Sequence, residues 1–313
     1  RSRDGHLLYP AFPYTSYTRV TRDDADALWA YLRSLPAVEQ ANRPHALRFP
    51  YDTQAALAAW RALYFKSGVF KPGATKPAEW NRGAYLVQGL GHCNACHATR
   101  NALGAAGGAA LGGGQVAGRS WYAPSLTSMA EAGSGGRIID ETARLLSTGI
   151  AGNSAAAGPM AEVVAQSLQH LSAADVGAMA VYLQSISAAA TSQPDQSQLT
   201  AESRLRVEKG AAIYDKHCKD CHGASGEGAP GIYPALAGNR GVTMASPLNT
   251  IRSVLDGGFT PVTVGNPRPY GMPPFGHALS NEEVAQVVSY IRNAWGNRAS
   301  VVSAVQVDKS GSD

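Results

Sequence analysis

All four cysteines of the chain lie in two copies of one short motif, Cys-x-x-Cys-His. The motif residues are Cys93, Cys96 and His97 in the first copy, and Cys218, Cys221 and His222 in the second. Two thiols at this spacing can each form a thioether with one vinyl group of a single porphyrin, and the adjacent imidazole then lies beneath the iron. The motifs therefore predict two covalently bound haem c groups, each with a histidine ligand.

Three other uses of paired cysteines compete with haem attachment. A structural zinc site is built from such pairs, but its second pair normally follows much sooner along the chain. A thioredoxin-like redox pair needs a βαβ context, which the flanking sequence does not offer. A disulfide within each motif would close a loop too short to stabilise the fold appreciably. Haem c attachment is favoured over all three.

The iron of a haem c electron carrier usually takes its second axial ligand from a methionine or a histidine. Met272 follows a glycine and precedes two prolines, so it is expected in a rigid loop just before the last helix. Met160 follows a Gly-Pro pair and holds the corresponding place for the first haem. Met244 and Met129 are the rivals for the second and the first haem, whereas Met179, inside a helix, is better explained as core filling.

The histidines outside the motifs are the alternative source of that ligand. They are His92 and His217, each directly before an attachment cysteine, and His6, His45, His170 and His277, which look like surface or loop residues. Bis-histidine ligation would lower the haem potential, whereas a thioether ligand raises it. Methionine is favoured at both irons, with bis-histidine ligation as the alternative.

The elements that must position these residues repeat along the chain. A helix-like stretch containing a glycine, Gly83 or Gly210, precedes each motif. A second helix is predicted to begin at Ser172 and again at Ser280, because each serine stands three residues before an acidic residue, as in a capping box. The repeated order predicts two mainly α-helical haem units.

The same helix start occurs a third time, ahead of both haem motifs. Thr21 is the capping residue of this third helix. Phe12 lies at the position that corresponds to the methionine ligand, and a phenylalanine side chain cannot bind iron. Residues 1–35 are therefore predicted to be the closing half of an incomplete third unit. Residues 36–75, which contain four prolines, are predicted to be a connecting segment.

This N-terminal region is predicted to be an interaction surface. Residues 1–75 carry ten basic and six acidic side chains, a net charge equal to that of the whole chain. The predicted helix places Leu28, Tyr31 and Leu32, with Ala25, on one apolar stripe that an incomplete unit would leave exposed. The alternative is a helical extension packed on its own chain.

The predicted organisation has five parts in sequence order. They are an incomplete unit with its connector at 1–75, a first haem unit at 76–190, a linker at 191–203, a second haem unit at 204–298 and a tail at 299–313.

The composition agrees with folded domains and excludes several functions. Of 313 residues, 44% are hydrophobic and 16% are charged, which is enough apolar material for packed cores. The formal net charge is +4, but the basic residues form no block and do not alternate with aromatic residues. The sequence therefore does not favour nucleic-acid binding. No apolar run is long enough to span a bilayer. The chain begins with neither an initiator methionine nor a signal peptide, and is expected to be a mature or trimmed product.

Three stretches carry a resemblance to a known family: EWNRGAYLVQGLGHCNACHATRNALG, WYAPSLT and GPMAEVVAQSLQHLSAADVGAMAVYLQS. They resemble the multi-haem cytochrome c subunits of membrane-associated alcohol, gluconate, aldehyde or N-heterocycle dehydrogenases. The resemblance covers residues 1–298 and implies a mainly α fold of tandem class I cytochrome c-like domains with an incomplete N-terminal third copy. The chain departs from the family in having no Cys-x-x-Cys-His ahead of LYPAFPYTSY, which resembles the tail of the family's first haem domain.

The resemblance also implies partners and ligand sets. In that family the chain usually holds three haems, lies in the periplasm and passes electrons from the dehydrogenase catalytic subunit to ubiquinone or another terminal acceptor, and peripheral membrane association is compatible with that role. Carried over to this chain, the ligands are Cys93, Cys96, His97 and Met160 for one haem, and Cys218, Cys221, His222 and Met272 for the other.

An electron-transfer subunit is therefore the leading functional hypothesis, with catalysis left to a partner. An iron held by histidine and methionine has no open coordination position. The alternative is a haem enzyme, such as a dihaem peroxidase or a thiosulfate-oxidising cytochrome, which needs an exchangeable ligand. A binding module in which haem is only structural is the third hypothesis.

Overall fold

A computed structural model describes residues 1–41, 43–132, 139–187 and 199–311 of the chain. The α-helices in these ranges are α1 (Tyr14–Tyr17), α2 (Arg22–Ser34), α3 (Gln54–Tyr64), α4 (Ala78–Tyr85), α5 (Ile139–Thr148), α6 (Pro159–Gln166), α7 (Ala173–Ser185), α8 (Ala201–His217), α9 (Lys219–His222), α10 (Arg240–Thr243), α11 (Leu248–Asp256), α12 (Asn281–Ile291) and α13 (Ala304–Gly311). Short antiparallel pairs join β1 (Gly114–Gln115) to β2 (Tyr122–Ala123), β3 (Ile150–Ala151) to β4 (Ser154–Ala155), and β5 (Gly258–Phe259) to β6 (Gly271–Met272). The mainly α prediction is confirmed. Every helix in the described ranges is too short or too polar to cross a bilayer.

Two separate apolar cores divide these helices into a first unit, within 76–187, and a second unit, within 199–311. In the first unit α4 packs across α7, and in the second α8 packs across α12. Gly83 and Gly210 lie where these helices cross. A Cβ at Gly83 would lie 1.9 Å from the carbonyl oxygen of Ala178, and one at Gly210 would lie 2.1 Å from that of Gln286. Only glycine therefore lets the paired backbones approach this closely.

The helix starts predicted from the sequence are the ones observed. The hydroxyls of Ser172 and Ser280 accept hydrogen bonds from the backbone N–H groups of Asp175 and Glu283, at 3.1 and 3.3 Å. The Glu283 carboxylate accepts in return from the Ser280 N–H at 2.9 Å, which completes a capping box. Thr21 caps α2 in the same way. Each such cap typically stabilises a helix by about 1 kcal/mol.

The N-terminal region contacts the first unit through a few specific hydrogen bonds. The Tyr85 hydroxyl donates to the Asp24 carboxylate at 2.5 Å and accepts from the Thr21 N–H at 3.2 Å. The Trp60 indole N–H donates to the Leu103 carbonyl oxygen at 2.9 Å. Trp60 belongs to α3, a helix within the segment predicted as a connector, where the sequence QAALAAWRALY is rich in strong helix formers.

The described part of the chain leaves the apolar stripe of α2 uncovered. Leu28, Tyr31 and Leu32 are 48%, 62% and 58% exposed. None of the residues of α2 is buried. The first unit therefore leaves this stripe open to solvent.

The predicted linker at 191–203 lies largely outside the described residues. Helix α8 begins at Ala201, and the hydroxyl of Thr200 caps it by accepting from the Ser203 N–H at 3.2 Å. The last three residues of the range predicted as linker are therefore helical.

Residues 299–311, which belong to the range 299–313 predicted as a tail, instead form part of the second unit. Val302 and Val307 are fully buried in the second core. The Val302 N–H donates to the Ser289 hydroxyl at 2.8 Å, and its carbonyl accepts from Arg206 Nη1 at 2.7 Å. Helix α13 packs on α11 and α12. Residues 299–311 become part of the core only when the fold brings α11 and α12 beside them. The sequence of this short segment, taken alone, therefore resembles a tail.

The two units contact each other directly. The Asn249 side-chain amide clamps the backbone of Tyr122, donating to its carbonyl at 2.7 Å and accepting from its N–H at 2.9 Å. The Thr263 hydroxyl donates to the Thr148 carbonyl at 3.1 Å. At Gly149, where φ is +81°, a Cβ would lie 2.0 Å from the ring of Pro261. This close approach fixes the second unit against the first.

Candidate haem sites

Each Cys-x-x-Cys-His motif forms one turn that leads from a helix into a loop. In the first copy a short turn begins at Cys93, and the His97 N–H donates to the Cys93 carbonyl at 2.9 Å. In the second copy the His222 N–H donates to the Cys218 carbonyl, also at 2.9 Å. Cys93 packs against the first core and Cys218 against the second. The leading cysteine and the histidine of each motif are thus held on one turn beside an apolar core.

The state of the thiols does not favour the competing uses of paired cysteines. All four are free, so neither motif holds a disulfide. Burial raises the pKa of Cys93 to about 12 and that of Cys218 to about 11. A thioredoxin-like pair requires the opposite, a lowered thiol pKa. The two pairs belong to different cores, and the described part of the chain has no group of three or more His, Cys, Asp or Glu side chains placed to hold a metal ion.

Both motif histidines are oriented by a proline carbonyl. Nδ1–H of His97 donates to the Pro124 carbonyl at 2.7 Å, and Nδ1–H of His222 donates to the Pro234 carbonyl at 3.1 Å. Burial lowers the pKa of both imidazoles, with the bond to the proline carbonyl opposing it. With Nδ1 protonated and the ring neutral, Nε2 carries a free lone pair. This is the tautomer that binds iron, fixed by an outer hydrogen bond as in other metal-ligating histidines. The residues present therefore fit a covalently bound haem.

The two prolines that orient the motif histidines share a short sequence pattern outside the Cys-x-x-Cys-His motifs. Each lies in a Pro-x-Leu sequence downstream of its motif, at Pro124–Leu126 and Pro234–Leu236. Because the pattern recurs after each motif, the sequence alone could have singled it out. Only the fold shows that the proline carbonyl oxygen accepts a hydrogen bond from the motif histidine.

Met160 and Met272 are partly buried against the same cores as the cysteines. Met160 lies in the first turn of α6, close after Gly158, whose φ of +52° and contact with the Trp121 ring leave no room for a Cβ. Met272 lies in β6, and a Cβ at Gly257, where φ is +63°, would lie 2.2 Å from its carbonyl oxygen. Two glycines thus set the course of the backbone around the methionines.

The rival methionines occupy different surroundings. Met179 is buried within α7 as part of the first core. Met129 is partly exposed, and its carbonyl accepts from Arg240 Nη1 at 2.8 Å. Met244 is buried, but it lies outside the cluster against which Cys218 packs, and its carbonyl accepts from Arg292. Met272 therefore shares the surroundings of the second motif more closely than Met244 does.

Comparison with known proteins extends these observations. The Cytochrome c family profile matches residues 207–295. One of the subunits of nicotinate dehydrogenase from Pseudomonas putida is 38% identical over 98% of this chain and 26% of its own length. The cytochrome c subunit of alcohol dehydrogenase (quinone) from Gluconacetobacter polyoxogenes is 35% identical over 98% of this chain, and the gluconate 2-dehydrogenase cytochrome c subunit of Pantoea cypripedii is 36% identical over 95%. The chain spans 69% and 71% of the lengths of these last two proteins.

Proposed function

The chain belongs to the family of cytochrome c subunits of dehydrogenases, and on that basis we propose that it carries two covalent haems and passes electrons from a dehydrogenase catalytic subunit to a quinone or another terminal respiratory acceptor. The observation that carries this proposal is the doubled site. Each of two apolar cores has a Cys-x-x-Cys-His turn, a histidine held in the iron-binding tautomer and a partly buried methionine.

In the proposed arrangement the chain's side chains hold and enclose the cofactor. A bound haem c supplies a one-electron couple between ferric and ferrous iron. Cys93, Cys96, Cys218 and Cys221 would anchor the two groups as thioethers. The Nε2 atoms of His97 and His222 and the sulfur atoms of Met160 and Met272 would bind the irons. The surrounding apolar side chains would exclude water from the irons.

Six-coordinate iron on both sites favours transfer over catalysis. A peroxidase or a thiosulfate-oxidising cytochrome needs a position where a substrate can replace a ligand, and an iron bound by both histidine and methionine would leave no such position open. Substrate chemistry is then the work of the partner protein. The clamp of Asn249 on Tyr122 keeps the two haem units at one fixed separation, which suits repeated electron transfer between them.

A tagged complex tests the proposed function. The full-length protein is purified from its native host with whatever catalytic subunit accompanies it, and nicotinate, an alcohol or gluconate is added. We expect one substrate to reduce both haems in the complex and to leave the haems of the chain alone oxidised. The isolated chain would contradict the proposal if it turned over peroxide or thiosulfate, because that requires an open iron.

We propose further that the exposed stripe of α2 docks this chain onto its catalytic subunit in the periplasm, at the outer face of the inner membrane. Residues 1–75 carry a net positive charge, and Leu28, Tyr31 and Leu32 form an apolar patch that the first unit does not cover. Such a patch on an exposed face typically marks a protein interface.

Replacing Leu28, Tyr31 and Leu32 together by serine is expected to raise the Kd for the catalytic subunit by at least about tenfold, the effect of losing about 1.4 kcal/mol of binding energy. Less catalytic subunit should then be recovered with the tagged chain. The haem spectra should be unchanged, since no residue of α2 is buried. The matched control replaces three exposed apolar side chains of the second unit by serine: Leu205, Val262 and Val305. Undiminished recovery with the α2 variant would remove this face as the docking surface, and a third haem in the mass of the native protein would point to an upstream segment as its cover.

A further inference from the structure

Arg292 is a fully buried cation in the second unit. It follows the last residue of α12 and is the one buried arginine or lysine among the residues that the structure describes. Its guanidinium donates only to uncharged oxygens. Nε donates to the Ser300 carbonyl at 3.0 Å, Nη1 to the Val242 carbonyl at 2.6 Å, and Nη2 to the Met244 carbonyl at 3.1 Å and to the Ser300 hydroxyl at 3.0 Å.

No carboxylate neutralises this charge within the described ranges, in contrast to Arg206 and Arg252 of the same unit. Arg206 lies 3.6 Å from the Glu282 carboxylate, and Arg252 lies 2.7 Å from that of Asp256. Burial lowers the pKa of Arg292 to about 10, so the group stays cationic at neutral pH. The dipoles of four oxygen acceptors stabilise the guanidinium but leave its net charge in place. A buried charge without a partner costs several kcal/mol, which suggests a use beyond packing.

The charge is linked to the second haem site through the core. Val242, whose carbonyl accepts from Arg292, belongs to the second core, and Cys218 and Met272 pack against that core. Ferric haem carries one more positive charge than ferrous haem. A fixed cation in a medium of low dielectric constant therefore disfavours the ferric state, since charges interact more strongly there than in water.

The first unit has no counterpart to this cation among its described residues. Counted from the capping serines Ser172 and Ser280, the position of Arg292 corresponds to Gln184, a neutral residue. Within the described part of the first unit, arginine and lysine side chains are all at least partly exposed. Among the residues that the structure describes, the two units thus differ by one buried positive charge.

We propose that Arg292 raises the reduction potential of the second haem above that of the first, so that electrons within the chain flow from the first haem to the second. This inference rests on the proposed function in requiring two methionine-ligated haems. It assigns to Arg292 a tuning role that acts through the electric field of the core and not through contact with a substrate.

A spectroelectrochemical titration of the full-length protein with both haems bound tests the role of the charge. We expect Arg292→Gln to lower the higher of the two potentials and to leave the lower one in place. Arg292→Lys should keep the higher potential near its original value, because the charge is retained while the forked hydrogen bonds are lost. The matched control, Arg206→Gln, removes a cation of the same unit that carboxylates already neutralise and should move neither potential appreciably.

Three results would overturn the inference. They are unchanged potentials in Arg292→Gln, a shift confined to the lower potential, and equal shifts in the glutamine and lysine variants, which would indicate a purely structural role. Should Arg292→Gln fail to fold, Met272→His with Arg292 intact still tests which haem has the higher potential. Bis-histidine ligation lowers the potential of the second haem, so this change must remove the higher value, and removal of the lower value refutes the proposed order. The ferric spectrum of the unsubstituted protein distinguishes a failure of this inference from a failure of the proposed function. If that spectrum shows no methionine-ligated haem, the proposed function itself fails.

Discussion

A chain with Cys218 and Cys221 both replaced by serine is expected to carry one covalent haem in place of two. A serine hydroxyl does not form the thioether, and both thiols of the second motif are lost at once. Mass spectrometry of the denatured protein measures the change directly as the loss of one haem mass. The second unit should also lose stability, because Cys218 and Met272 both pack against its core and the haem would add apolar contacts there.

The mirror-image variant, with Cys93 and Cys96 replaced by serine, is the matched control and should lose the other haem. Acid–acetone extraction of the denatured, unsubstituted protein should leave both haems on the polypeptide. Full haem mass in either double variant, or extraction of haem from the unsubstituted chain, would refute covalent attachment at these motifs.

Replacing Met272 by alanine is expected to abolish the far-red absorption band of one ferric haem and to lower its potential. The thioether would give way to water or to a nitrogen ligand, and axial ligands control haem potentials over a span of roughly 0.8 V. We expect a fall on the order of 0.1 V or more. Redox titration followed at the haem absorption maxima measures it. Met160→Ala should do the same to the other haem.

Met244→Ala is the control, because Met244 is also a methionine of the second unit and is 3% exposed. It should cost about 2–5 kcal/mol of stability through the cavity it leaves, without changing the spectrum. Loss of the far-red band in Met244→Ala but not in Met272→Ala would reverse the assignment of the second iron ligand.

The features that the sequence predicted well are local ones. The capping residues Thr21, Ser172 and Ser280, which the structure confirms, act over three or four positions, so the residues themselves contain the signal. The Cys-x-x-Cys-His motifs are equally local, and the attachment of a haem at each of them stays a prediction. The glycines Gly83 and Gly210 were visible as a repeat, although their role at the helix crossings depends on Ala178 and Gln286 far along the chain.

The features that escaped prediction depend on distant parts of the chain. Pro124 lies 27 residues after His97, and its carbonyl becomes a partner only when the loop folds back on the motif. The clamp between Tyr122 and Asn249 joins residues 127 positions apart. Arg292 is charged and stands at a helix end, which is typical of a solvated residue, and only the packing of Ser300 and Val242 around it makes it a buried cation.

The far-red absorption spectrum of the fully oxidised, full-length protein tests the central claim most directly. Two haems per chain, each held by histidine and methionine, should give the methionine-to-iron band at twice the intensity of a single such site, with no high-spin ferric component. A band corresponding to one haem only, or a high-spin fraction that binds added ligands, would show an open iron and contradict the account of this chain as a two-haem electron-transfer subunit.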